Sequence, residues 1–217
     1  MKLPRITPVQ LTLLAEPFDD PAFLYEHKAD GFRAVVYVSD GKCEIYSKRG
    51  NVFKSFQKLQ AEIAAGLPAK EAIIDGEICV LDPQGRPLFY ELMRRKQPPV
   101  LLCFDLLWVD GRDLRQLPLI ERKRQLKKLI MSGKKTCPSL MYGQHIRGRG
   151  KDLFDLICKV DAEGITIKDA SAPYGITARW FKVRNKNYTQ MEGRHELFEG
   201  KTLKRAVNPK RKAKRRA

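Results

Sequence analysis

Glu26-His27-Lys28-Ala29-Asp30-Gly31-Phe32-Arg33 places a lysine between a short β-prone run and a turn-forming Asp-Gly pair. Leu24 to Lys28 reads as a short strand. Arg33–Ser39 and Lys42–Ser47 read as strands around Asp40-Gly41, a type I′ hairpin signal. Upstream, residues 1–22 read as an irregular lead-in. Downstream, Phe56, Leu59 and Ile63 recur at helical spacing within Phe53–Ala65, and Gly66 and Pro68 end that stretch. Ala72 to Leu81 predicts a strand, Asp82-Pro83-Gln84-Gly85 a turn, and Leu88–Arg95 a short helix. Val100–Val109 is a strongly apolar strand ending before Asp110-Gly111. Helices follow over Leu119–Ile130, with Leu126 and Leu129 or Ile130 inward, and over Asp152–Val160. Gly164–Lys168 and Arg179–Val183 return to strand. The sum is an α+β domain with antiparallel hairpins. No glycine-rich phosphate fingerprint follows a strand, which argues against a simple doubly wound sheet.

The balance of charges points to a polyanionic partner. Of 217 residues, 42 are Lys or Arg against 25 Asp or Glu, a net charge of +17. Such an excess favours nucleic acid, although an anionic membrane surface also attracts basic proteins. No apolar run reaches transmembrane length, and the start lacks the continuous apolar stretch of a signal peptide, so no membrane association and a cytoplasmic location (bacterial cytosol or nucleoid) are expected. The five cysteines are odd in number and none forms a close pair, which disfavours disulfides and structural zinc; His27, His145 and His195 match no local zinc motif. Residues 201–217 hold nine Lys or Arg and no acid, more than half of the net charge. The expected organisation is a folded unit over residues 1–200 and a basic, disordered tail over 201–217, serving as a nucleic-acid-binding arm or else as a solubilising or targeting segment.

Lys28 is the residue with chemistry to offer. A neutral amine can attack the α-phosphorus of a nucleoside triphosphate and form a phosphoramidate, but it must first lose its proton, which neighbouring cations promote. Arg33, Lys182 and a bound magnesium would do so, and would neutralise triphosphate charge in the transition state. Taken alone, a lysine beside a hairpin is by default an exposed surface residue.

Lys28-Ala29-Asp30-Gly31-Phe32-Arg33 resembles the nucleotidyl-transfer motif of the ATP-dependent DNA ligases, a superfamily shared with RNA ligases and mRNA capping enzymes. Five further segments resemble the family's motifs in the expected order: Tyr46-Ser47-Lys48-Arg49-Gly50, Asp75-Gly76-Glu77-Ile78, Phe104-Asp105-Leu106-Leu107, Glu163-Gly164-Ile165-Thr166-Ile167-Lys168 and Trp180-Phe181-Lys182-Val183-Arg184. The resemblance implies an α+β fold of the ligase and capping-enzyme nucleotidyltransferase type (ATP-grasp-like), with antiparallel sheets flanked by helices. It implies that Lys28 carries AMP and that Glu26 accepts a hydrogen bond from the adenine amino group. Arg33 and Arg49 resemble contacts to ribose and to the phosphate at the nick, Glu77 the ribose contact, and Phe104 the aromatic stacked on adenine. Glu163 resembles the carboxylate that positions the metal, with Glu77 a second metal candidate. Lys182 resembles the α-phosphate contact, with Lys168 beside it and Arg184 where many relatives have lysine. The catalytic set is then Lys28, Lys182 and Glu163, and the cofactors are ATP and Mg2+ or Mn2+.

The residues carry their own checks. Glu77 lies in an apolar strand and needs a partner to offset desolvation, either a ribose hydroxyl or an internal cation. Phe104 without the resemblance is a core residue. Lys182 alternates with Phe181 and Val183, so one face of that strand is polar, towards a cleft or towards water.

The implied activity is nick sealing in DNA through lysyl-AMP, in DNA repair, on nicked double-stranded DNA and by a monomer. The alternatives are an RNA ligase or other polynucleotide nucleotidyltransferase, and a non-catalytic nucleic-acid-binding module. The family usually adds an oligonucleotide-binding domain. The chain after Arg184 is too short for one, and Tyr188 to Phe198 resembles the ending of compact bacterial ligase-like proteins that lack it. Self-adenylation and tight DNA binding then need a substitute, either the basic tail or a partner protein or DNA clamp. Deletion of residues 201–217 is expected to weaken binding to nicked duplex and flatten its salt dependence, with the circular dichroism spectrum unchanged; a titration at two salt concentrations checks this.

Overall fold

The computed structural model describes residues 3–191 apart from 134 and 136. The strands are Thr12–Leu13 (β1), Phe23–His27 (β2), Phe32–Ser39 (β3), Lys42–Ser47 (β4), Ala72–Cys79 (β5), Val100–Val109 (β6), Arg112–Asp113 (β7), Leu140–Tyr142 (β8), Ile146–Arg147 (β9), Gly164–Asp169 (β10) and Trp180–Arg184 (β11). The helices are Gln57–Gly66 (α1), Phe89–Arg94 (α2), Leu119–Ser132 (α3) and Gly150–Lys159 (α4). The strands form two sheets, one in the order β1-β11-β10-β2-β9 and one in the order β4-β3-β5-β6-β7, with β8 alongside β6. Pairing is antiparallel except for β1 with β11 and β8 with β6.

Strand alternation sorts side chains into layers. On β3, Ala34, Val36 and Val38 join Leu59 and Ile63 of α1 and Leu126 and Ile130 of α3 in the largest apolar cluster. Val35, Ile73, Leu107 and Trp108 face the other way and meet Leu24 and Trp180 of the first sheet. On that sheet's far side, Phe23, Tyr25, Ile165, Ile167 and Val183 pack with Ile157 of α4. The order is therefore α1 and α3, the second sheet, the first sheet, α4. The α+β class with antiparallel sheets flanked by helices follows from this layering.

The β3–β4 turn is as expected: Asp40 and Gly41 both have positive φ, 52° and 69°, as a type I′ hairpin requires. Three expectations need correction. The lead-in contains β1, whose Thr12 and Leu13 pair with Phe181 and Lys182. Lys28 lies one residue beyond the end of β2 rather than within a strand. The helix in Phe53–Ala65 starts only at Gln57, because Phe53 donates its backbone N–H to Ile45 and stays tied to β4.

The gap between the sheets is not purely apolar. Asp105 of β6 pairs with Arg122 of α3 at 2.8 Å, both side chains 0% exposed. Asp75 of β5 pairs with Arg33 of β3 at 2.8 Å and accepts the Tyr174 hydroxyl at 2.6 Å. An ion pair this deeply buried is costly to break because the surviving charge has neither water nor partner. Arg122→Met is expected to lower stability by about 3–5 kcal/mol, and Arg122→Met with Asp105→Leu to recover most of the loss; urea unfolding of both variants checks this.

Candidate active site

Between the sheets lies a cavity of about 300 Å³, lined from the first sheet by Glu26, Thr166, Lys168 and Trp180 and from the second by Arg33, Glu77 and Phe104. Lys28 also lines it. The registers explain the convergence. Thr166 of β10 stands opposite Glu26 on one side and Lys182 on the other, and Lys168 opposite Leu24 and Trp180. Side chains directly opposite share a face, so Glu26, Thr166 and Lys182 form one row and Lys168 and Trp180 the next. On the second sheet Arg33 stands opposite Glu77.

The loop carrying Lys28 is tightly placed. Its backbone N–H donates to the Gly164 carbonyl at 2.9 Å, which brings it beside Glu163. Lys28 Nζ then pairs with Glu163 Oε1 at 2.6 Å. Asp30 accepts the Tyr188 hydroxyl at 2.8 Å. Gly31 runs so close to β5 that a Cβ there would collide with the Ile78 carbonyl, so no larger residue fits.

Deeper in, Glu26 is buried and holds two ammonium groups, Lys123 and Lys168, each at 2.6 Å. Burial works against its ionised form, but the two lysines prevail and hold the carboxyl below its usual range. Lys168 is in turn lowered, by burial first, with Lys123 adding to the effect and Glu26 opposing it. Its Nζ lies 4.1 Å from the centre of the Phe104 ring and 4.4 Å from that of Trp180. His27 is lowered to about 4 by burial and by Lys28, and is therefore neutral at physiological pH. Glu77 is raised to about 8 by burial, with Glu163 raising and Lys28 lowering it.

The remaining expected residues lie nearer the surface. Lys182 is partly exposed and lowered by burial, then by Arg184, Lys28 and Lys48. Arg184 is exposed at the end of β11, and Arg49 is exposed in the turn after β4 and outside the cavity lining. Arg33 lines the cavity, and three of its five N–H donors go to Asp75 and the Val9 carbonyl. The two proposed metal carboxylates, Glu77 and Glu163, influence each other electrostatically, but no group of three or more His, Cys, Asp or Glu suited to a metal occurs among the described residues. Residues missed in the sequence are Lys123, Asp75, Asp105, Arg122 and Lys48. A lone acid such as Asp105 in a ten-residue apolar strand was a usable signal, since it demands a buried partner. Nothing marked Lys123, one of several cations on a charged helix. The tail of residues 201–217 and most of the segment after Tyr188 lie outside the described residues. No helix among those described is long and apolar enough to cross a membrane.

The family description "ATP dependent DNA ligase domain" matches residues 9–184. The chain is 31% identical over 197 residues to the SPbeta prophage-derived DNA ligase-like protein LigB of Bacillus subtilis, covering 86% of this chain and 70% of that protein. It is 37% identical over 142 residues to a DNA ligase of Aeropyrum pernix, covering 55% of this chain but only 24% of that protein. Among solved structures, a mycobacterial DNA ligase D complexed with ATP and MES superposes with a TM-score of 0.68 at 25% identity, over 82% of this chain and 60% of that one.

Glu77 gives a pH signature to the nucleotide-free protein. With its carboxyl raised from 4.5 to about 8, the folded chain holds a proton that the unfolded chain has released. Stability therefore falls as pH rises through that window and the loss is complete above it. Glu77→Gln is expected to raise the melting temperature by about 10 °C at pH 8.5 and to leave it unchanged at pH 4.5, as read by thermal denaturation at the two pH values.

Proposed function

The chain belongs to the ATP-dependent DNA ligase family, and from that premise we propose that it takes AMP from ATP onto Lys28 and passes it to the 5′-phosphate of a DNA nick. The observation that carries this proposal is the position of Lys28, which lines a cavity walled by an aromatic ring and a carboxylate and which, with Lys48 and Arg184, is near enough to Lys182 to act on it electrostatically. A nucleoside fits the cavity by shape and stacking, and its phosphates fit the cations by charge.

In the first transfer the Lys28 nitrogen attacks the α-phosphorus, the P–N bond forms, and the bond to pyrophosphate breaks. Attack needs the neutral amine, so the pair with Glu163 must open and the proton must leave. Lys182, already partly desolvated and crowded by other cations, is the group to place on the α-phosphate, where its charge meets the charge of the transition state. In the second transfer a 5′-phosphate oxygen displaces the lysine from AMP, and in the third the adjacent 3′-hydroxyl displaces AMP and closes the strand. Glu163 and Glu77 offer two carboxylates to a divalent ion, a set that fits Mg2+ when triphosphate oxygens and water supply the other ligands. Bound there, the ion would neutralise phosphate charge.

The chain spans about a quarter of its Aeropyrum relative and 60% of the ligase D chain. Nicked DNA as the substrate, action in repair, and reliance on a clamp or partner protein are thus parts of the proposal. Incubation with α-labelled ATP and magnesium, followed by a denaturing gel, is expected to show an acid-labile adduct on the wild type and none on Lys28→Ala. Nicked duplex DNA, added next, is expected to discharge that adduct, and nicked RNA is not. No adduct with either ATP or GTP would reject the enzyme assignment, and discharge by RNA alone would reject DNA as the substrate.

A further inference from the structure

Lys123 is fully buried in α3, and it does not line the cavity, yet its partners do. Its Nζ pairs with Glu26 Oε1 at 2.6 Å and donates to the carbonyls of Gly143 at 3.0 Å and Phe104 at 3.3 Å. An ammonium has three N–H groups, and three acceptors surround this one. They come from three places: β2 of the first sheet, β6 of the second, and the loop that follows β8. Glu26, Phe104 and Gly143 all line the cavity. One cation therefore ties together the cavity's carboxylate, the backbone of its aromatic ring, and the loop beside both.

A charge held this way is costly to bury, and a purely structural ion pair could be replaced by packed apolar groups without loss. What an apolar replacement cannot do is hold a carboxylate ionised and aimed. Glu26 Oε2 accepts a hydrogen bond from Lys168 at 2.6 Å, while Oε1, ion-paired with Lys123 at 2.6 Å, makes no aligned hydrogen bond, so the carboxylate keeps accepting capacity. A purine amino group presents a donor that this remaining capacity accepts. Lys168, the second cation on Glu26, lies against the aromatic rings at 4.1 and 4.4 Å, so it belongs to the cavity wall in a way Lys123 does not.

We propose that Lys123 is a positioning residue for nucleobase selection, fixing Glu26 and Phe104 so that the cavity prefers a purine bearing an exocyclic amino donor. This rests on adenylation at Lys28. Lys123 touches neither phosphate nor nucleophile, so its loss acts on nucleotide binding and base preference rather than on the transfer step.

The experiment measures initial rates of lysyl-AMP formation for the full chain across ATP concentrations, beside purine riboside triphosphate, which lacks the amino group. In Lys123→Met the KM for ATP is expected to rise about tenfold or more, with the saturating rate within about threefold of wild type. The preference for ATP over purine riboside triphosphate is expected to shrink towards one. Lys128→Met, an exposed position on the same helix, controls for charge removal and is expected to match wild type. Unchanged KM and preference in Lys123→Met would overturn the proposal, as would a fall in saturating rate with KM unchanged. If Lys123→Met does not fold, Lys123→Arg carries the test. It keeps the charge but cannot place one nitrogen among the same three acceptors. A raised KM with the wild-type saturating rate then supports the proposal, and an unchanged KM overturns it. Wild-type protein that forms no adduct at all would instead reject the function, so the two failures are distinct.

Discussion

Charges buried between the two sheets govern the rest of this structure. Glu26, Asp75 and Asp105 all occupy strand positions that face the gap or its border, and each is met by a cation from another element: Lys123 and Lys168, Arg33, and Arg122. Carboxylates in such surroundings are tolerable only when paired and hydrogen-bonded, and each pairing dictates a distance between elements. Arg122 and Lys123 are neighbours on one helix, so α3 locks to β6 and β2 together. The apolar cluster between the sheets gives way to these polar groups, and where it ends the sheets cannot close on one another. The cavity is the space left there.

The same constraint orders the chemistry. The row Glu26, Thr166, Lys182 runs across three strands from the buried floor to the partly exposed surface. Along it the surroundings change from a desolvated carboxylate between lysines to a group of cations in reach of water. A molecule with an aromatic amine at one end and several negative charges at the other matches that gradient. Lys28 stands beside the row because its backbone is bonded to Gly164, the residue after Glu163. Lys28 and Glu163 are thus juxtaposed by a main-chain bond, and their ion pair follows from it.

The two ends of the cavity also differ in how firmly they are held. Glu26 and Lys123 have nowhere to go, since both are buried and multiply bonded. Lys28, at 21% exposure, has Glu163 as its ion-pair partner among the described residues and keeps access to water, as the proposed adenylation requires of a group that sheds a proton. Rigidity at the Glu26 end and latitude at the Lys28 end come from the same pair of sheets.

The amino-acid sequence alone determined the main strands, all four helices in outline, and the family. Period-two alternation, Asp-Gly turns and helical spacing are local signals, and the six segments stand in chain order whatever the fold does with them. Through the resemblance of the segments that hold them, it also pointed to Glu26, Lys28, Arg33, Glu77, Phe104 and Lys168 of the cavity lining, and it left out His27, Tyr142, Gln144 and Thr166. Only the tertiary structure decided which cations reach which carboxylates. Arg33, expected at a ligand, pairs with Asp75, while Lys123, which nothing in the linear pattern singled out, lies beneath Glu26 and Phe104. The brief strands β1, β7, β8 and β9 were likewise invisible, being two or three residues long and held by partners far away in the chain. The physical reason is common to both: a charge pair or a two-residue ladder depends on a neighbour distant in sequence, and a linear pattern carries no record of distances across a packed interior.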